Sequence, residues 1–318
     1  MDCVERPVEL RTKAVMDADI RARRRTALVV NVRSRRGRRH YETVRRQLRA
    51  AGLDLVDAQP VAHPAQLPDT LAKAVNSGVD LIVVGGGDGT MSEATHQLAH
   101  RDVCLGVLPL GTTNNFARSL GLPLNLSGAL RILTEGKVAD VDLGHVADRH
   151  YANLTSLGMS VQVAQHVPHR LKRVLGRAAY PLTALALLPR HRPFTARLRV
   201  DDQVHELDTH QLNIANGSHH AGRAIAPDTG LDDRLLVVYR LGDSNRLRLA
   251  AATLRQTVTG PRRPLARTPF LTTRKLWLET DPPMDLDIDG EIRGRSPVQI
   301  TLEANALRVM VPTTFTDT

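Results

Sequence analysis

Three short apolar runs, and a strand-like run that carries Asp54 and Asp57, each separated from the next by a polar or helical stretch, constrain this chain most. They are Thr26–Val32, Leu53–Ala58, the apolar part of Asp80–Thr90 and Val103–Gly111. A strand apolar along its whole length has to be covered on both faces, the condition inside a parallel sheet. Between the runs lie segments of helical spacing. Tyr41–Ala51 places Tyr41, Val44 and Leu48 on one face and stops at Gly52, Leu67–Val75 ends near Gly78, and Met91–Ala99 follows the third run. Strands and helices alternating at this pitch predict an α/β domain built on a parallel sheet.

The pattern changes after about residue 140. His145–Gly158, Phe194–Leu207, His210–Gly217 and Arg234–Leu241 read as strands separated by turns, as do later runs over 275–280, 284–291, 298–303 and 306–312. Two helices, Leu171–Leu188 and Asn245–Thr257, interrupt them. A β-rich, sandwich-like C-terminal domain is predicted. The chain of 318 residues has room for about two domains. The expected division is a loose, flexible basic extension over 1–25, an α/β domain over 26–142 and the β-rich domain over 143–318, with the last strands able to pack back on the first domain.

Composition matters for what it excludes. No apolar stretch approaches the 18 or so residues of a spanning helix, and the Leu182–Leu188 run is far too short. The first residues carry acids and no apolar core, unlike a secretory signal. Two cysteines, Cys3 and Cys104, make neither a disulfide framework nor a metal spacing, and a reducing cytoplasm is expected. Net charge is +10 and concentrated near the N-terminus, where Arg21–Arg49 holds twelve arginines and one acid, Glu42. Arginine forks suit phosphate on a nucleotide or a lipid headgroup, although arginine is the habitual cation of this whole chain. Nucleic acid is a poor fit, because only 3% of residues are aromatic and no nucleic-acid motif occurs.

The strongest local signal is Gly85-Gly86-Gly87-Asp88-Gly89-Thr90, at the exit of the third run. Three glycines let the backbone approach a phosphate, and a following helix adds a partial positive charge. Asp88 could hold magnesium directly or through water, and Thr90 could donate to phosphate. The plainer alternative is a βα turn with Asp88 or Thr90 as helix cap. The motif is neither Gly-x-Gly-x-x-Gly nor a P-loop. The next run exits into Pro109-Leu110-Gly111-Thr112-Thr113-Asn114-Asn115-Phe116-Ala117-Arg118. Two polar exits on neighbouring strands would make one site. A later Asp289-Gly290-Glu291 is either a hairpin turn or a turn projecting a carboxylate into a cleft.

These motifs, in this order, resemble the soluble diacylglycerol kinase-like lipid kinases. The resemblance runs from about Ala27 to the end and takes in Asn31 to Gly37, Asn216-Gly217 and Ala226–Asp233. It implies that Asn31, Ser34 and the segment Gly86, Gly87, Asp88, Gly89, Thr90 to Glu93 hold the ATP phosphates, with Thr112 joining from the next exit. It implies a structural magnesium site in which Asp233 is the side-chain ligand and Gly230 and Leu235 offer carbonyls, oxygen donors that suit this ion. Glu291 matches the proposed base that takes the proton of the lipid hydroxyl, and Asp88 joins it as a catalytic residue. The sequence departs from the family pattern at Val32, at Val61–His63, at Asn115 in place of aspartate and at Arg234 in place of glycine.

The expected protein is an ATP- and magnesium-dependent lipid kinase. Diacylglycerol is the first-choice acceptor, reached at an anionic membrane surface by a cytoplasmic protein docked peripherally on the inner membrane face. The oligomeric state is open, a homodimer included. The rivals are an NAD kinase-like enzyme, which shares a Gly-Gly-Asp-Gly-Thr motif, and a non-catalytic nucleotide- or lipid-binding module. His63, His96 and the pair His219-His220 show no metal-ligand spacing along the sequence and are read as surface or satisfied residues.

Overall fold

The computed structural model describes residues 11–23, 25–33, 35–168, 179–220, 223–224, 230–240 and 270–317. Ser34, residues 171–178, residues 226–229 and the segment Asn245–Thr257 lie outside the described residues.

The N-terminal domain follows the alternating pattern. Strands β1 (Arg25–Asn31), β2 (Asp54–Val61), β3 (Leu81–Gly86) and β4 (Cys104–Pro109) are joined through helices α2 (Arg35–Ala50), α3 (Leu67–Asn76) and α4 (Asp88–Leu98). They pair in parallel in the order β2-β1-β3-β4. β3 and β4 are buried at every position, as strands covered on both faces should be. α2 buries Val44 and Leu48 and turns outward at Gly52, whose φ of 78° is the left-handed geometry of a helix C-terminus. Two short helices, α5 (Asn115–Ser119) and α6 (Leu126–Glu135), complete this layer.

Among the described residues of the segment read as a loose basic extension is a helix. Helix α1 (Lys13–Arg23) buries Met16 and Ile20, one turn apart, in the same core as Leu28 and Val83. Arg11 fixes its start, bonding Asp19 (2.7 Å), Asp80 (2.8 Å) and Asp102 (2.8 Å). Asp80 is 4% exposed, so the guanidinium compensates a buried acid at the mouth of β3.

The C-terminal part is antiparallel. It comprises β5 (Lys137–Val146), β6 (Arg149–Tyr151), β7 (Leu154–Gly158), α7 (Met159–His166), α8 (Ala179–Leu187), β8 (Phe194–Val200), β9 (Gln203–Thr209) and β10 (Gln211–Ala215). Then come β11 (His219–His220), β12 (Arg223–Ala224), β13 (Leu236–Arg240), β14 (Leu271–Thr273), β15 (Lys275–Asp281), β16 (Asp285–Ile288), β17 (Glu291–Arg295) and β18 (Val298–Val311). One sheet runs β14-β13-β10-β7-β16-β17. It faces the antiparallel half of the larger sheet across a core of Leu157, Leu198, Ile214, Leu276, Leu286 and Ile300. This is a β-sandwich-like domain beside an α/β domain, the predicted fold class. The 14-residue β18 joins the two: it pairs β15 in the sandwich, β5 along most of its length and β4 in parallel at Arg308 and Val309. Among the described residues no helix is long and apolar enough to cross a membrane.

Candidate active site

Asn31, Gly86 and Pro109 end β1, β3 and β4, three neighbouring parallel strands, and so share the C-terminal edge where open α/β sheets take their ligands. There the two glycine-bearing exits touch. A methyl group on Gly111 would lie 2.5 Å from Gly87 Cα, so only glycine permits the contact. Asp88 clamps the pair: its carboxylate accepts the backbone N–H of Asn114 at 3.0 Å and of Asn115 at 2.5 Å. Asn114 is left-handed at φ 51° and closes the turn on itself, its Oδ1 accepting the Gly111 N–H at 3.0 Å. Thr90 is 5% exposed and packs on Gly86, and its Oγ1 accepts from Asn31 Nδ2 at 3.0 Å. Gly89 is exposed in the first turn of α4, Thr112 is exposed in the next exit, and Arg36 Nη1 donates to Gly111 O at 3.1 Å. Asp88 therefore does cap a helix, α5, but across two strands, which a plain βα turn does not require.

Gly111→Ala tests this contact. Its Cβ would meet the Gly87 backbone at 2.5 Å, which cannot swing away as a side chain can, and Asn114 Oδ1 at 2.7 Å. The expected cost is about 1–3 kcal/mol, as for other overpacking, read as a lower urea midpoint. Gly89→Ala, where nothing lies within 4 Å, should cost nothing or stabilise slightly. Equal stability of both variants would break the described contact.

Glu93 was expected in the phosphate turn. The structure places it lower on α4, 8% exposed, with Oε2 2.7 Å from Arg149 Nη2 and Oε1 accepting from Gln97 at 2.9 Å. Burial opposes its ionisation, but the Gln97 and Arg149 bonds outweigh burial and hold the carboxyl below its usual range. A carboxylate so engaged orients Arg149; it would repel phosphate. Arg149 itself is 4% exposed and also lies 3.9 Å from Glu291 Oε2.

Glu291 opens β17 after Asp289-Gly290, whose φ values of 49° and 95° mark the two-residue hairpin turn the sequence offered as one alternative. The turn is anchored: the Asp289 carboxylate faces inward and accepts the N–H groups of Ala152, Asn153 and Leu154 at 2.9–3.1 Å. Burial pushes Asp289 up to about 6 against those three donors. Asp287 Oδ1 takes the Gly290 N–H at 2.7 Å. The Glu291 side chain is 40% exposed and pairs with Arg293 Nε at 2.9 Å. The motif is a hairpin turn, and it holds the Glu291 carboxylate beside Arg149.

The structure brings the expected magnesium residues Gly230, Asp233 and Leu235 together. Asp233 accepts the N–H of Gly230 at 2.9 Å and of Leu235 at 3.0 Å. Burial raises its pKa, with Asp232 adding repulsion. Asp142, fully buried, accepts the N–H groups of Arg234 and Asn305, and its pKa is likewise raised by burial first and by Asp232 among the nearby charges. Asp232 repels both carboxyls, and the oxygens of Asp142 and Asp233 are engaged by backbone N–H groups. Arg234 sits at φ 59°, left-handed backbone that glycine adopts without strain, which explains why glycine suits that position.

Sequence reasoning missed Arg149, Asp142 and the role of Glu303. Arg149 lies in an unremarkable hairpin and meets Glu93 56 residues away, a pairing with no local signature.

Comparison with known proteins agrees with this plan. The diacylglycerol kinase catalytic domain family matches residues 25–146, and the YegS C-terminal NAD kinase β-sandwich-like domain family matches residues 153–311. A probable lipid kinase YegS-like protein of Xanthomonas campestris is 32% identical over 278 residues, covering 83% of this chain and 89% of the relative. A diacylglycerol kinase of Staphylococcus epidermidis is 27% identical over 244 residues, covering 76% and 77%. A crystal structure of a diacylglycerol kinase from Bacillus anthracis superposes with a TM-score of 0.70 at 23% identity, covering 91% of this chain and 97% of that one. Sheet, joined exits and sandwich thus define a kinase of the α/β-plus-sandwich class. Within that class, the chain belongs to the diacylglycerol kinase-like lipid kinase family.

Proposed function

We propose that the protein transfers the γ-phosphate of ATP, with magnesium, to the hydroxyl of a lipid alcohol, diacylglycerol giving phosphatidic acid. The observation that carries this reading is Arg149, which bonds Glu93 on the helix leaving the glycine exit and approaches Glu291 from the sandwich. One buried cation thus sets the nucleotide side and the base side in register. Gly86 to Thr90 and Asn31 cradle the phosphates, and Asp88 keeps the two exits closed. Glu291 accepts the hydroxyl proton as the oxygen attacks phosphorus and the bond to the bridging oxygen of ADP breaks. Phosphoryl transfer rests on positioning and charge neutralisation, and this arrangement supplies both. Magnesium, where bound, would be held by Asp233 with the carbonyls of Gly230 and Leu235, and would neutralise that half-buried carboxyl. The test is labelled ATP with a panel of lipid alcohols, read by product mass and ADP release. Asp88→Ala should lose nearly all turnover while melting within a few degrees of wild type. No ADP release with any lipid would leave a binding module, and phosphorylation of NAD alone would favour the NAD kinase reading.

The lipid must be reached at a bilayer, and α2 offers a dock. Its buried face holds Tyr41, Val44 and Leu48, while Arg38, Arg39, Arg46 and Arg49 are exposed. Each basic residue near an anionic surface contributes about 1 kcal/mol, screened over roughly a Debye length. Vesicle binding is expected to rise with anionic lipid and fall steeply between low and physiological salt. Salt-independent binding would point to an apolar dock.

A further inference from the structure

Beyond the nucleotide site, α4 ends in a second cluster. His100 follows α4 and is held at φ 57° by its N–H bond to Ala306 O at 2.7 Å. Its Nε2 lies 2.6 Å from Glu303 Oε2, and His150 Nε2 lies 2.9 Å from the same oxygen. His145 Nδ1 is 3.7 Å from Glu303 Oε1, and the His145 and His150 rings are 4.8 Å apart. The ligand atoms of His100, His150 and Glu303 all lie within 4.8 Å of one another.

The cluster sits on rigid parts. His145 and His150 are cross-strand partners of the β5–β6 hairpin, and Glu303 lies on β18 beside it. Ligands carried on paired strands keep their geometry better than ligands on loops. We propose that His100, His150 and Glu303, with His145 next to them, bind a zinc ion. Two imidazole nitrogens and a carboxylate oxygen are the donor set zinc takes in three-ligand sites, and the fourth position falls to His145 or water. Tetrahedral zinc holds its ligand atoms about 3.3 Å apart, given bonds of ~2.0–2.1 Å. The present contacts of 2.6 and 2.9 Å open to that spacing by small side-chain rotations.

The cluster can also be reached from solvent. His100 is half exposed and gives an entry path. His96 stands behind, its Nδ1 accepting the His150 backbone N–H at 3.4 Å, as a satisfied residue does. The site binds together the end of α4, the β5–β6 hairpin and β18. It is separate from the proposed kinase chemistry, and its test does not depend on turnover.

Chain stripped with a chelator and titrated with zinc sulfate should bind one ion, by calorimetry and elemental analysis, and melt several degrees higher with zinc in large excess over Kd. His100→Asn keeps a side chain tolerant of the left-handed backbone, and Glu303→Gln keeps size but not charge. Both should weaken zinc at least tenfold, while His166→Asn, an exposed histidine elsewhere, should bind as wild type. Circular dichroism of the apo variants confirms that they fold; His100 is exposed enough that its loss leaves the core intact. Without saturable one-to-one binding in the wild type, or without a tenfold loss in both variants, the proposal is overturned.

Discussion

Glu291→Gln is expected to lower kcat by about 10²–10⁴-fold, the contribution of a positioned general base, with ATP affinity changed only a few-fold. The substitution keeps the side chain's length and one acceptor oxygen but cannot take up a proton. It removes little from the fold, because Glu291 is 40% exposed, its close ion pair is with half-exposed Arg293, and its turn is fixed by other groups, Asp289 on three backbone N–H donors and Asp287 on Gly290. The nucleotide, in the proposed reading, is held at the ends of β1, β3 and β4, on the other side of Arg149. Steady-state kinetics with ATP and diacylglycerol in mixed micelles, beside a melting curve, measures both quantities. A variant retaining more than about a tenth of the wild-type rate would make Glu291 a turn residue only, because that falls short of a base's contribution. Loss of ATP binding as well would show that the two sides of the cleft do not divide the labour this way.

What the sequence disclosed was local. The apolar runs of β1, β3 and β4 are buried along their length because both faces are covered, and such runs announce themselves. Glycine exits are equally plain, since a close backbone approach such as Gly87 to Gly111 tolerates no side chain. Helix α1 was illegible for the opposite reason. Its apolar face is little more than Met16 and Ile20, and what holds its start is Arg11 on Asp80 and Asp102, 69 and 91 residues away. Charge compensation at such separations leaves no periodicity to read. The same holds for Glu303, which meets His150 and His100 from 153 and 203 residues away. For Glu93 the motif gave no hint of its partners, Arg149 and Gln97. One and a half turns of helix were enough to carry the side chain from the glycine exit to Arg149.

Arg149→Met should be the most destabilising single change near the site, by about 3–5 kcal/mol, the cost of leaving one partner of a buried ion pair alone. Glu93, at 8% exposed, cannot turn to water, and methionine offers its oxygen nothing. Glu93→Gln alone strands the cation instead, though Glu291 3.9 Å away softens that loss. The double variant should recover much of the stability, with a coupling of about 0.5–3 kcal/mol as expected for contacting groups. The pH dependence has a fixed sign. Glu93 is held below its usual pKa, so the folded chain binds fewer protons than the unfolded one in that window. The pair's contribution is therefore present above the ordinary glutamate value of about 4.3 and fades as the pH falls below it. Urea unfolding of the four proteins at pH 7 and near pH 4 reads the whole cycle, and Arg149→Met should lose the acid-limb slope that wild type shows. Additive single-variant losses would mean that Arg149 is held by packing, leaving the cleft without the link that joins α4 to β17.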